Sequence, residues 1–281
     1  MKKSILIISL LAFGCYSYAQ VKTPQASLAA KVEQVVGLTD VEVEYVRPAK
    51  KEREIFGSLV PYGRLWRTGA NENTTIEFSE DIVISEKTLP KGKYALYTKP
   101  EADQWTIFFY KENKNWGLPK VWNEAQVALQ TRVIPSEYSI QTEYFTIEVT
   151  PIDNDNGVIN LIWDKTLVQI PFKTFTRQQA LASIEQELNE KSTSREYFNA
   201  GTYYFTSKED VNRALEYVDK AISMEQDVPY YMLRQKSLIL AKLGKRREAI
   251  KVAEESLKKA QAAGNTDYVK LNQDSINEWK R

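Results

Sequence analysis

Apolar side chains recur at every second position again and again between residues 21 and 173, and after residue 173 the spacing changes to three and four. A period of two puts successive side chains on opposite faces of an extended strand, while a period near 3.6 builds one stripe on a helix. One chain therefore carries two architectures in series. Val41, Val43 and Tyr45 alternate with Glu42 and Glu44, and Ile76 and Phe78 with Glu77. The same beat returns at Trp105, Ile107 and Phe109, then at Phe145, Ile147 and Val149. It continues at Ile159, Leu161 and Trp163, and at Val168, Ile170 and Phe172. Strict alternation means one face buried and one wet, the mark of antiparallel sheets. Pro61-Tyr62-Gly63, Leu89-Pro90-Lys91-Gly92, Lys99-Pro100 and Asn156-Gly157 supply the turns between runs. Short strands, regular turns and no intervening helices predict an all-β sandwich, of jelly-roll or Greek-key type, or else a barrel over residues 20–173.

Residues 174–281 carry helix punctuation. Thr176 with Gln179 and Thr193 with Glu196 have capping-box spacing. Ser207 and Pro229 stand at expected helix starts, Gly244 and Gly264 at expected stops. Gly201, Tyr204, Ala214, Val218 and Ala221 resemble the small and aromatic positions of a tetratricopeptide unit, and Ala249 and Ala253 echo them one repeat later. The expected reading is two degenerate repeats and a last helix from about Thr266 to Trp279. Two repeats bury little surface alone, so the helices should pack on the sandwich or on a protein partner.

The start of the chain resembles an export signal. Lys2 and Lys3 precede an apolar run from Ile5 to Phe13, and Ser17-Tyr18-Ala19 fits cleavage before Gln20. That run is too short to span a bilayer, so a soluble periplasmic or extracellular protein is expected. The competing reading makes Cys15 a lipid-attachment site, which would anchor the chain.

The full chain has no histidine, and Cys15 is its single cysteine. A processed chain without either cannot assemble a Ser-His-Asp or Cys-His triad, nor a zinc site of imidazole and thiolate. No cofactor or metal is expected. With 38 basic and 37 acidic residues the formal charge is +1, so no basic footprint calls for nucleic acid.

A more specific signal is an ordered set of short motifs. Ile55-Phe56-Gly57-Ser58-Leu59-Val60-Pro61-Tyr62-Gly63 runs on through Leu65-Trp66-Arg67-Thr68-Gly69-Ala70-Asn71. Leu38-Thr39-Asp40, Tyr45 with Arg47-Pro48, Leu89 to Tyr94, Asn115-Trp116-Gly117 and Trp163-Asp164-Lys165-Thr166 accompany it. Across residues 24–172 this pattern resembles a bacterial envelope family known only as domain of unknown function 2911. The resemblance implies a secreted β-sandwich and no activity. The chain departs from the family at Lys51-Glu52-Arg53-Glu54, where a small basic segment with glycine is usual.

The candidate ligand-binding residues are Arg47, Arg64, Trp66, Arg67, Asn71, Asn73, Trp116 and Trp122. Guanidinium forks suit carboxylate or phosphate, amides suit sugar hydroxyls, and exposed indoles stack on either a sugar or a peptide. The plainer alternative makes Trp66 core and folds Trp116 and Trp122 back over the sandwich as a lid. Asp153 to Gly157 has the look of a calcium loop but fits a simple hairpin turn better. Glu42 and Glu44 fit solubility better than a catalytic pair, and Lys245-Arg246-Arg247 fits a solvated helix start. The expected role is non-enzymatic: a sandwich that binds a small ligand or glycan, and helices that engage a protein. A glycan hydrolase using only Asp and Glu, and a purely structural spacer, are the alternatives.

Overall fold

The computed structural model describes residues 23–281; the signal-peptide reading and Cys15 lie outside them. Ten strands come first: β1 (Leu28–Val36), β2 (Thr39–Arg47), β3 (Thr75–Phe78), β4 (Ile82–Ile84), β5 (Lys87–Leu89), β6 (Gly92–Pro100), β7 (Trp105–Tyr110), β8 (Val127–Val133), β9 (Ser136–Pro151) and β10 (Asn156–Thr174). Six helices follow: α1 (Thr176–Glu187), α2 (Ser194–Thr206), α3 (Val211–Ser223), α4 (Tyr230–Lys242), α5 (Arg246–Ala262) and α6 (Thr266–Trp279). Two antiparallel sheets, ordered β1-β2-β3-β6-β7-β8 and β5-β4-β10-β9, face each other across one core. Every inward residue of the alternating runs named above is buried there.

The second sheet holds a hairpin that strand boundaries conceal. A straight 19-residue strand would be about 60 Å long. Yet the Thr174 amide donates to the Asp155 carbonyl at 2.8 Å, and Gln169 Nε2 to Asn160 Oδ1 at 3.1 Å. Both pairs are centred on Asp164-Lys165, so β10 doubles back there. Asp164 takes the left-handed backbone that such a turn needs (φ 53°). The first limb pairs with β9 and the far end of the second with β4.

The two sheets are joined at one corner. Beyond β2, the Lys50 amide donates to the Glu143 carbonyl (2.7 Å), and the Phe145 amide to the Pro48 carbonyl (3.0 Å). Arg47 completes the seam. Its Nε donates to the Phe145 carbonyl (3.0 Å), its Nη2 to Thr146 Oγ1 (2.7 Å), and its guanidinium lies over the Tyr144 ring.

The helices stack as hairpins. α2 packs on α3 because Gly201 leaves no side chain between them: a Cβ there would stand 2.7 Å from Val218 Cγ2 and 2.8 Å from the Ala214 carbonyl. Ala249 and Ala253 are buried in the α4–α5 pair, with Ser237. Two expected helix starts fall elsewhere. Ser207 ends α2, and α3 is capped by Asp210, whose carboxylate accepts from the Asn212 and Arg213 amides. Thr176 is the first residue of α1 rather than its cap. Its hydroxyl accepts from the Leu38 amide, and the orphan Arg177 amide is taken by Asp155 from the turn before β10. The Thr193–Glu196 capping box is present as read. No helix among the described residues is long and apolar enough to cross a membrane.

Candidate functional site

Two loops meet on the outer face of the six-stranded sheet. The first, residues 66–74, is laced to the strands beneath it. Trp66 exchanges backbone hydrogen bonds with Thr98 (2.7 and 3.0 Å), and the Ala70 amide donates to the Val46 carbonyl. The Thr74 hydroxyl donates to the Thr68 carbonyl (2.6 Å), which holds Thr68 in a left-handed backbone (φ 55°). The second loop, residues 111–126, is pinned by amides. Asn113 Nδ2 donates to the Lys93 carbonyl (2.6 Å) and Asn115 Nδ2 to the Gly117 carbonyl (2.8 Å). Tyr97, buried under this loop, has its phenol pushed above the usual range by that burial, against the Asn115 hydrogen bond.

Asn73 joins the two loops through Nδ2 to the Asn113 carbonyl (3.2 Å). Between them and strands β1, β2, β3 and β6 lies a groove of about 750 Å³. Trp116 stands on its edge with 68% of its surface exposed. Lys93 and Glu44 form an ion pair on its floor at 2.6 Å, and Lys31, Glu72, Asn115 and Lys114 complete the polar lining. The Lys93 hydrogen bond, outweighing desolvation and joined by the charges of Lys93 and Lys31, holds the Glu44 carboxyl below its ordinary range. The arrangement has an indole face, side-chain amides and alternating charges along an open channel, a surface suited to hydroxyl-rich ligands.

The eight sequence candidates do not gather in one place. Asn73 and Trp116 line the groove. Arg67 and Asn71 form the ridge beside it, Arg67 Nη1 donating to the Asn71 carbonyl (3.0 Å) and lying against Gly117. Arg47 serves the seam described above. Trp66 belongs to an aromatic cluster with Phe56, Trp105, Phe145 and Trp163, stacked on Trp163 with centroids 5.9 Å apart, and its Nε1 donates to the Gly69 carbonyl. Arg64 is exposed away from the groove. Trp122 folds down as a lid on Tyr97, Phe108 and Tyr110, stacking on Tyr110 at 4.7 Å. The two loop tryptophans thus part: one packs, one stays open.

Sequence reading missed Lys31 and Lys93 and set Glu44 aside. The signal for Asn113 and Asn115 lay in the Asn-Lys-Asn-Trp run, but Lys93 reaches Glu44 only once β3 separates β2 from β6. The Asp153 turn is a hairpin turn: Asp153 Oδ1 accepts from the Asp155 and Asn156 amides, which lowers its carboxyl from the usual range. Among the described residues no group of three or more acidic, histidine or cysteine side chains is placed to hold a metal ion.

A family model described as "Protein of unknown function (DUF2911)" matches residues 27–172, more than half of the chain. No curated protein and no solved structure matches.

Proposed function

The chain belongs to the DUF2911 family through its sandwich, and on that premise we propose that it is an exported, non-enzymatic protein whose sandwich binds a glycan in the groove beside Trp116. One observation carries the reading: a tryptophan left 68% exposed on a pinned loop, at the edge of a lined groove. Leaving so large an apolar face in water forgoes roughly 1.5–3 kcal/mol of burial. Its neighbour Trp122 takes that gain by folding down; Trp116 does not, and a stacking partner would restore it. The groove also falls within the size range of small-ligand sites.

Glu44 is unsuited to the proton-donating part of hydrolysis at this place. A general acid needs a carboxyl held protonated near working pH, whereas Lys93 keeps Glu44 ionised. The stacked hairpins of α2 to α5 serve, in this reading, as the part that engages another protein, since such stacks present an extended face.

The test is titration calorimetry of the purified processed protein against neutral and amino-sugar oligosaccharides, repeated with Trp116→Ala. Binding weakened about tenfold or more by the substitution, with an unchanged melting point, supports the proposal. Binding equal in the two proteins, or none across the panel, refutes it.

A further inference from the structure

On the other side of the 66–74 ridge lies a second recess, of about 350 Å³, lined by none of the groove's residues. Its floor is the Trp66–Trp163 stack with Val60, Ala49 and Ala70. Lys51, Arg53 and Arg67 stand around it, and no carboxylate lines it. We propose that this recess binds a small aromatic carboxylate, the ring against Trp66 and the carboxylate toward Lys51 and Arg53.

The charge pattern carries the proposal. Two of the three lysines that line the groove are neutralised in place: Lys93 by Glu44, and Lys31 by Glu33 and Glu42. Among the described residues, Lys51, Arg53 and Arg67 enter no ion pair. Glu52 and Glu54, which flank Arg53 in the chain, are exposed and pair with neither cation, and two acids from other segments are otherwise engaged. Glu143 Oε1 accepts from the Lys51 amide at 2.9 Å, and Asp164 faces Lys50 at 3.4 Å. Like charges gathered around an apolar floor repel one another, and an anion relieves that repulsion.

The backbone holds the cations where they are. Lys51 and Glu52 both sit in the left-handed region (φ 49° and 60°), forming a tight turn that starts just past the seam with β9. Arg53 is tied to the same turn: its Nε donates to the Lys50 carbonyl at 2.9 Å and its Nη2 to the Ala49 carbonyl. Its remaining N–H groups are free to meet a carboxylate in the two-pronged manner of guanidinium. Arg67 spends one N–H on Asn71 and closes the ridge side. The volume matches the low end of small-molecule sites, enough for one ring and a short acidic arm.

The experiment titrates the processed protein with phenylacetate and indole-3-acetate, and with the neutral phenylacetamide, following indole fluorescence and calorimetric heat. Phenylacetamide isolates the charge, since its body is the same. We expect an acid to bind and to perturb tryptophan emission, and the amide to bind about tenfold more weakly or worse. Lys51→Asn removes a cation while keeping a residue that tolerates the left-handed backbone; it should weaken the acid several-fold with the melting point held, and Arg53→Gln, which also gives up the ties to Lys50 and Ala49, should weaken it several-fold as well. Equal affinity for acid and amide, no response to either acid at millimolar concentration, or acid binding untouched by both substitutions would overturn the proposal.

Discussion

At the residue scale the molecule turns on three tryptophans that look alike in the sequence. Trp66, Trp116 and Trp122 all fall outside the alternating strands, so local pattern cannot rank their burial. Docking decides it. Trp122 meets the aromatic outer face of β6 and β7, Trp66 meets Trp163 across the sandwich, and Trp116 lies over a channel. The plainer reading of the sequence thus holds for two and not for the third. The carboxylate beneath Trp116 gives a pH test. Its folded value lies below its ordinary 4.5, so the stability it contributes is complete above 4.5 and is lost as pH falls through the lower folded value. Glu44→Gln should therefore be less stable than the parent near neutrality, and the gap in melting point should close in acid. A gap that widens on acidification would contradict the pairing with Lys93. Gly201 gives a packing test. Alanine gains about 1 kcal/mol of helix propensity over glycine, but its Cβ would press on backbone of α3 that must shift. We expect Gly201→Ala to destabilise by about 1–3 kcal/mol in denaturant unfolding; a stabilised variant would show that α2 and α3 are not so closely packed.

Among elements, strand existence was legible because one side of each strand is buried and the period is local. What the sequence could not disclose were contacts closed by distant partners. The cap of α1 is such a case: Thr176 and Gln179 have the spacing of a capping box, yet Asp155 supplies the acceptor from across the joint. Local spacing cannot see a carboxylate delivered by another turn. Ser207 misled for a related reason, since Asp210 reaches two amides and displaces it. Removing Asp155 should cost about 0.5–2 kcal/mol, the usual range for a lost cap. Hydrogen exchange of Asp155→Ala should then rise first in the opening turn of α1; exchange unchanged there would assign the cap elsewhere.

For the whole molecule, the change of period near residue 173 located the passage from sheets to helices, with β10 ending at Thr174 and α1 beginning at Thr176. Sheet order was not legible, because β3 inserts between β2 and β6 through pairings of long separation. The groove inherits that opacity: β1, β2, β3 and β6 each contribute to its floor, and its two rims come from loops some 40 residues apart, as the Asn73–Asn113 bond records. Export is the outer condition on any glycan role. Intact mass of the protein recovered from an expressing bacterium should place the first residue at Gln20. Retention of residues 1–19, or a lipid on Cys15, would contradict the proposed release.

The most direct measurement follows the six tryptophan indole N–H signals by nitrogen–proton correlation spectroscopy while an oligosaccharide that binds is added. We expect the Trp116 signal to move in a saturable way while those of Trp66, Trp105 and Trp163 hold still. A Trp116 signal that stays fixed through saturation, with another indole moving instead, would contradict the site.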